Sequence, residues 1–360
     1  MRSLILLICL LIGHPILAAE PAFAPVKPGY QLVFPQDFGA HPDFRIEWWY
    51  ATGWLQTAEG QKLGFQVTFF RIATHADKNN PSRFAPGQLI IAHAALSDPT
   101  LGSLLHDQKI RREGFDLVYA HTGNTDVKLD DWFFRRATDG RYQTYIQAQD
   151  FTLELTFSPT QPLLLQGEQG FSRKGPKMEQ ASYYYSEPHL QVTGTITRSG
   201  KPITVTGTAW LDHEWSSELL DINAAGWDWV GANLDDGGAL MAFQIRSKDG
   251  AKVWSHAVWR DAAGHMTTFA ADEVHFQPQR RWRSPHTQTE YPVAMTIKTG
   301  ETIWQLTPLM DDQELDSRAS IGAVYWEGAV TLERNGEPAG RGYLELTGYV
   351  QALSMGGNRD

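Results

Sequence analysis

Apolar side chains return at every second position along several stretches of this chain. Leu63, Phe65, Val67 and Phe69 alternate with Gly64, Gln66, Thr68 and Phe70. Further on, Phe151, Leu153, Leu155 and Phe157 alternate with Thr152, Glu154, Thr156 and Ser158. A strand points successive side chains to opposite faces, so this rhythm describes sheets with one buried face. Turn signals punctuate the stretches at Ala58-Glu59-Gly60, Asp139-Gly140, Ser199-Gly200, Asp235-Asp236-Gly237-Gly238, Lys248-Asp249-Gly250 and Asn335-Gly336. No convincing amphipathic helix exceeds a few turns. The spacing predicts an all-β fold of barrels or sandwiches rather than an α/β fold.

The rhythm is also duplicated. Trp48-Trp49-Tyr50-Ala51-Thr52-Gly53-Trp54-Leu55 runs into a turn and then Leu63-Gly64-Phe65-Gln66-Val67. Trp227-Asp228-Trp229-Val230-Gly231-Ala232-Asn233-Leu234 runs into a turn and then Leu240-Met241-Ala242-Phe243-Gln244-Ile245. The halves end alike: Arg198-Ser199-Gly200-Lys201-Pro202 leads to Val205-Thr206-Gly207, and Arg334-Asn335-Gly336-Glu337-Pro338 leads to Leu346-Thr347-Gly348. Two matches in the same order favour duplication over chance. The expected organisation is a first domain over 44–217 and a second over 218–360. A Pro- and Ala-rich arm over 20–43 is expected to run extended across the surface.

Met1-Arg2, the apolar run Leu4 to Leu17 and the small residues Ala18-Ala19 read as a signal peptide over 1–19, cleaved near Ala19. The expected location is therefore periplasmic or secreted. Cys9, the one cysteine, lies inside that segment, so the processed chain has no thiol for a disulfide, a thiolate metal site or a nucleophile. A formal charge of −10 without a basic stripe argues against nucleic-acid binding.

The densest chemistry is Thr208-Ala209-Trp210-Leu211-Asp212-His213-Glu214-Trp215-Ser216-Ser217, followed closely by Gly226-Trp227-Asp228-Trp229. On a strand, Asp212 and Glu214 share a face with Trp210, while His213 joins Leu211 and Trp215 on the other. Paired carboxylates beside indole rings raise one another's pKa, because like charges repel and apolar walls exclude water. A carboxylic acid held protonated near neutrality can act as a general acid, and Trp faces can stabilise a developing carbocation. The same residues could instead form a hydrogen-bonded domain interface, or a binding pocket without chemistry. No metal site is expected: His213-Glu214 opens like a zinc-protease motif but lacks the second histidine, and His93 and His256 each stand alone. There is no G-x-S-x-G elbow, P-loop or dinucleotide fingerprint.

Five motifs together resemble the AttH and carotenoid 1,2-hydratase family. They are Glu47-Trp48-Trp49-Tyr50-x-x-Gly53, Tyr183-Tyr184-Tyr185-Ser186, Gly207-x-Ala209-Trp210-Leu211-Asp212-His213-Glu214-Trp215-Ser216, Gly226-Trp227-Asp228-Trp229, and Gly342-Tyr343-Leu344-Glu345-Leu346-Thr347-Gly348-Tyr349. The likeness spans about Phe44 to Gln351, and its Trp-Leu-Asp-His-Glu-Trp-Ser block is fairly specific. It implies two lipocalin-like β-barrels in tandem, with a hydrophobic small molecule such as a lipid or isoprenoid bound in or between them. For the hydratase branch it implies addition of water to a carbon–carbon double bond with no cofactor. For the AttH branch it implies company with an ABC-type transporter, hence a carrier role as the alternative. On that reading Asp212 is the candidate proton donor, and Glu214 or Asp228 positions water. Trp49, Tyr185, His213, Trp215, Trp227 and Trp229 are candidates to meet the ligand. An export signal sits poorly with a pigment made inside the cell, so a carotenoid is not the expected substrate.

Overall fold

The computed structural model describes residues 23–74, 82, 87–218 and 220–353. The expected signal peptide over 1–19 lies outside the described residues. Within them the chain is β throughout, save for one 3-10 turn at Gln36–Phe38.

The strands form two antiparallel sheets, one of 13 strands and one of 10. In each half the opening Trp-rich strand pairs with the last strand of that half. Ile46–Thr57 lies beside Lys201–Ser216, and Ala224–Leu234 lies beside Glu337–Leu346. The first sheet then curls until Gln88–Ser97 and Leu105–Arg112 approach Asp126–Leu129, close to a closed barrel. In the second, Lys252–Arg260 approaches Val274–Arg283 in the same way. This tandem all-β architecture is the one the sequence rhythm and the resemblance implied.

The hairpins that lead into the two returning strands explain their matching sequences. Ser199 and Gly200 have φ of 49° and 72°, and Asn335 and Gly336 have φ of 53° and 89°. Two successive residues at positive φ are what a tight hairpin following the strand twist requires.

Side chains fill the concave side of each sheet. Phe65, Phe69, Trp132, Phe134 and Phe157 pack the first core, and Tyr291, Trp304, Trp326 and Leu344 the second. A third apolar cluster, with Tyr50, Trp54, Trp210, Trp229, Phe243 and Tyr343, joins the sheets. Polar contacts fix that junction. Trp54 Nε1 donates to Gly342 O at 3.0 Å, Asn233 Nδ2 to Ala209 O at 3.0 Å, and Ser97 Oγ to Gln313 Oε1 at 2.7 Å. A Cβ on Gly64 would stand 2.7 Å from the Ala329 Cβ, so the sheets meet there at backbone range.

The N-terminal arm runs over the first half with little regular structure, exposed over 27–31 and buried at a few apolar positions. Its Val26 and Phe38 are buried against Phe171, Tyr183, Tyr185 and Trp215 of the first half. Asp37, on the Gln36–Phe38 turn, accepts from Val33 N at 2.7 Å and Tyr30 Oη at 3.0 Å. Proline content predicted the lack of regular structure, but the apolar residues between the prolines make the arm a cover.

Candidate functional site

A cavity of about 650 Å³ opens between the two sheets rather than inside either barrel. Its aromatic wall comes from both halves: Trp48 and Tyr50 from the first, Trp227, Trp229 and Phe243 from the second. The duplicated strands place them. Trp48 and Tyr50 share one face of Ile46–Thr57, and Trp227 and Trp229 share one face of Ala224–Leu234. Tyr50 and Trp229 meet edge to face, with ring centroids 5.3 Å apart.

Asp212 lines this cavity from the Lys201–Ser216 strand. Its Oδ1 accepts from Ser186 Oγ at 2.6 Å and from Trp210 Nε1 at 2.6 Å, and its Oδ2 accepts from Tyr184 Oη at 2.7 Å. Trp229 Nε1 in turn donates to Tyr184 Oη at 3.1 Å, which ties the acid to the second sheet. Burial pushes the Asp212 carboxyl up to about 7; the three donors oppose the shift, and Glu214 adds repulsion in its favour. The three donors are compatible with the neutral acid. Oδ1 as a carbonyl oxygen takes two, and Oδ2 can hold a proton while still accepting from Tyr184.

Glu214, two residues along on the same face, also lines the cavity. Its Oε1 lies 2.9 Å from Lys174 Nζ, and that ammonium stands over the rings of Phe243 at 4.3 Å and Tyr184 at 4.6 Å. The third cavity carboxyl is Glu345, whose Oε2 accepts from Trp227 Nε1 at 2.9 Å. Burial pushes Glu345 up to about 7, the Trp227 hydrogen bond opposes this, and the neighbouring charges of Asp212 and Glu214 add to it.

The other candidates face elsewhere, as the two-residue period requires. Asp228 lies between Trp227 and Trp229 on their strand and so turns away from the cavity. It accepts from Arg246 Nε at 3.0 Å, Gln244 Nε2 at 2.6 Å and Tyr349 Oη at 3.0 Å, which makes it a buried structural anion rather than a water-positioning group. Trp49, Tyr185, His213 and Trp215 lie beneath the N-terminal arm. His213 stacks on Trp49 at 4.6 Å, and His41 of the arm stacks on Trp215 at 3.7 Å. His213 Nε2 lies 2.8 Å from Glu47 Oε1, and His213 Nδ1 lies 3.0 Å from Tyr185 Oη. Burial favours the neutral form of this imidazole and lowers its pKa.

Glu47 is the hub of that layer. Its Oε2 accepts from Arg71 Nε at 2.7 Å, and its Oε1 lies 2.7 Å from His41 Nδ1. Burial alone would raise its pKa; His41, Arg71 and His213 outweigh that and hold it well below the ordinary carboxylate range. Donor atoms of His41, Glu47 and His213 fall within 4.8 Å of one another, a spacing that suits a metal. Each of them already engages in the hydrogen bonds above, and the Arg71 cation would repel a second one. The cluster is accounted for as the ionic seam that fastens the arm.

Sequence reasoning therefore found Asp212, Glu214, Trp227 and Trp229 at the cavity. It passed over Tyr184, Ser186, Lys174 and Glu345. Tyr184 and Ser186 stand in the quoted Tyr-Tyr-Tyr-Ser run, but their place beside Asp212 depends on a strand register that the sequence does not show. Lys174 lies in a short irregular stretch, and nothing local marks it.

Fold and site together define a tandem-barrel β protein with an acid-bearing, aromatic cavity between its halves. The AttH-like family model matches residues 25–349, and the chain belongs to that family. It is 70% identical to a candidate AttH protein from Nitrosomonas europaea, whose 2.00 Å crystal structure superposes with a TM-score of 0.86, covering 91% of this chain and 100% of that one. Kievitone hydratase from Nectria haematococca shares the fold at 14% identity and a TM-score of 0.68, covering 92% of this chain and 99% of its own. CghA, solved with Sch210972, shares it more distantly, at 14% identity and a TM-score of 0.51 over 88% of this chain and 90% of its own. No curated protein sequence matches the chain.

Proposed function

We propose that this protein adds water to a carbon–carbon double bond of an apolar small molecule held between its two barrels, with Asp212 as the proton donor. The observation that carries this reading is the Asp212 carboxyl itself: buried in the cavity wall, held by three donors and shifted to titrate near neutrality. The Asp212 proton passes to one alkene carbon, the π pair forming the new C–H bond. The adjacent carbon becomes electron-deficient, water oxygen bonds to it, and the added water releases one proton. Trp48, Trp227 and Trp229 line the cavity with indole rings, which suit a developing positive charge. The likeness to kievitone hydratase supports a scaffold able to house such a reaction.

The test is incubation of the protein with short prenyl alcohols in oxygen-18 water, read by mass spectrometry. Hydration adds one labelled water. Asp212→Asn should lower that product about a hundredfold or more, the range general-acid catalysis contributes. Equal turnover by the variant would sink the assignment.

A carrier reading draws on the same apolar cavity. It includes export directed by residues 1–19 and delivery to or from an ABC-type transporter. A carrier would retain an isoprenoid or lipid in native mass spectrometry and release it unchanged, with or without Asp212.

A further inference from the structure

The cavity holds a second carboxyl whose position repeats that of Asp212 in the other half. In the first sheet Tyr50 stands opposite Asp212, which stands opposite Ser186 on the next strand. In the second sheet Trp229 stands opposite Glu345, which stands opposite Glu327. The duplicated sequence already equates Tyr50 with Trp229 and Trp48 with Trp227. Glu345 is thus the counterpart of Asp212, Glu327 of Ser186, and Tyr325 of Tyr184. Both acids reach the same cavity, one from each sheet.

We propose that Glu345 is the base that takes the proton from the attacking water, with Glu327 as the positioning residue that keeps the other proton of a carboxyl pair. This inference rests on the hydratase reading and completes it, because hydration needs an acid at one carbon and a base near the other. Glu214 is occupied by Lys174 and Asp228 by Arg246, whereas Glu345 receives only the Trp227 indole among the described cations and donors. Glu327 is wholly buried, and the hydroxyls of Tyr50 and Tyr325 are the groups that face its carboxyl. Tyr50, Tyr325 and Tyr343 are its neighbours, and no cation among the described residues offsets its charge.

Two carboxyls directly opposite on paired strands stand about 4.5–5.5 Å apart at Cβ, so they do not both ionise readily. Burial and the repulsion of Glu345 hold Glu327 well above the usual range, against the opposing pull of the Tyr50 and Tyr325 hydroxyls. Glu327 does not line the cavity and faces no described cation, so it is the member assigned the retained proton, and Glu345, at the cavity wall, is the member free to take a proton from water. During hydration the Asp212 proton goes to carbon, the water oxygen bonds to the neighbouring carbon, and a water proton goes to a Glu345 carboxylate oxygen. Exchange with solvent then returns a proton to Asp212 and removes one from Glu345. The sum is one water added and both groups restored.

An epoxide probe tests this without the natural substrate. With 10,11-epoxyfarnesol, a Glu345 carboxylate oxygen bonds to a ring carbon while that C–O bond breaks, and the ring oxygen takes the Asp212 proton. Peptide mass spectrometry should find the ester on Glu345. Glu345→Gln should lose it, and Asp212→Asn should slow it at least tenfold without moving it. An ester on Glu327, Glu214 or Asp212 instead, or no ester at all, overturns the proposal. The two readings fail separately. An ester on Glu345 in a protein that hydrates no prenyl alcohol removes the hydratase and keeps the reactive carboxylate. Hydration that survives Glu345→Gln does the reverse.

Discussion

Asp212 costs the fold stability that a neutral residue would not. Its carboxyl titrates at about 7 in the folded protein and near 3.8 when exposed, so the folded state holds the proton more tightly between those values. Stability from this group is therefore full at low pH and falls as pH rises through about 7. At roughly 1.4 kcal/mol per unit, the ionised group costs about 4 kcal/mol at most above pH 8. Asp212→Asn should raise the denaturation midpoint relative to the parent protein at pH 9, with a smaller gap at pH 5 that closes only as the pH falls below about 4. A variant less stable at both pH values would contradict the assignment. Trading stability for a poised acid is expected of a functional position. At this scale the sequence was half legible. Parity along one strand put Asp212, Glu214 and Trp210 together and sent His213 and Trp215 the other way. Parity across strands, which pairs Tyr184 and Ser186 with Asp212, needs a register that no single strand reveals.

The strands themselves were the most readable elements, because burial on one face writes a period of two into the residues. What they could not show is which buried face meets a core and which meets the other barrel. Phe65 and Trp54 are equally apolar, yet Phe65 fills the first core while Trp54 crosses to Gly342 of the second sheet. The arm shows the same limit: proline spacing reports its irregular backbone and is silent about which of its apolar residues, such as Val26 and Phe38, are buried. Gly64 offers a test at the level of elements, since its strand approaches Ala329 too closely for a side chain. Gly64→Val should force the sheets apart and lower stability by about 1–3 kcal/mol, the usual cost of overpacking. Thermal denaturation reads this. An unchanged midpoint would mean the two sheets are not held in the contact described.

Duplication explains the molecule as a whole. Each half brings a Trp-rich strand, a carboxyl-bearing strand and a tyrosine-bearing strand to one junction, so the cavity is made twice over from one pattern. The two cores are filled, and the acid-bearing cavity lies where the halves meet, a common place for ligand sites. Sequence alone supplied the tandem barrels and the duplication. It left open whether a ligand would enter a barrel or lie between two, because that depends on how completely side chains fill each interior. This junction keeps Asp212 as a carboxylic acid poised near neutrality. The most direct measurement is carbon-13 NMR of protein labelled at aspartate carboxyl carbons, titrated from pH 3 to 9 beside Asp212→Asn. One resonance, missing from the variant, should titrate near pH 7; a resonance already fully shifted by pH 5 would contradict a poised Asp212.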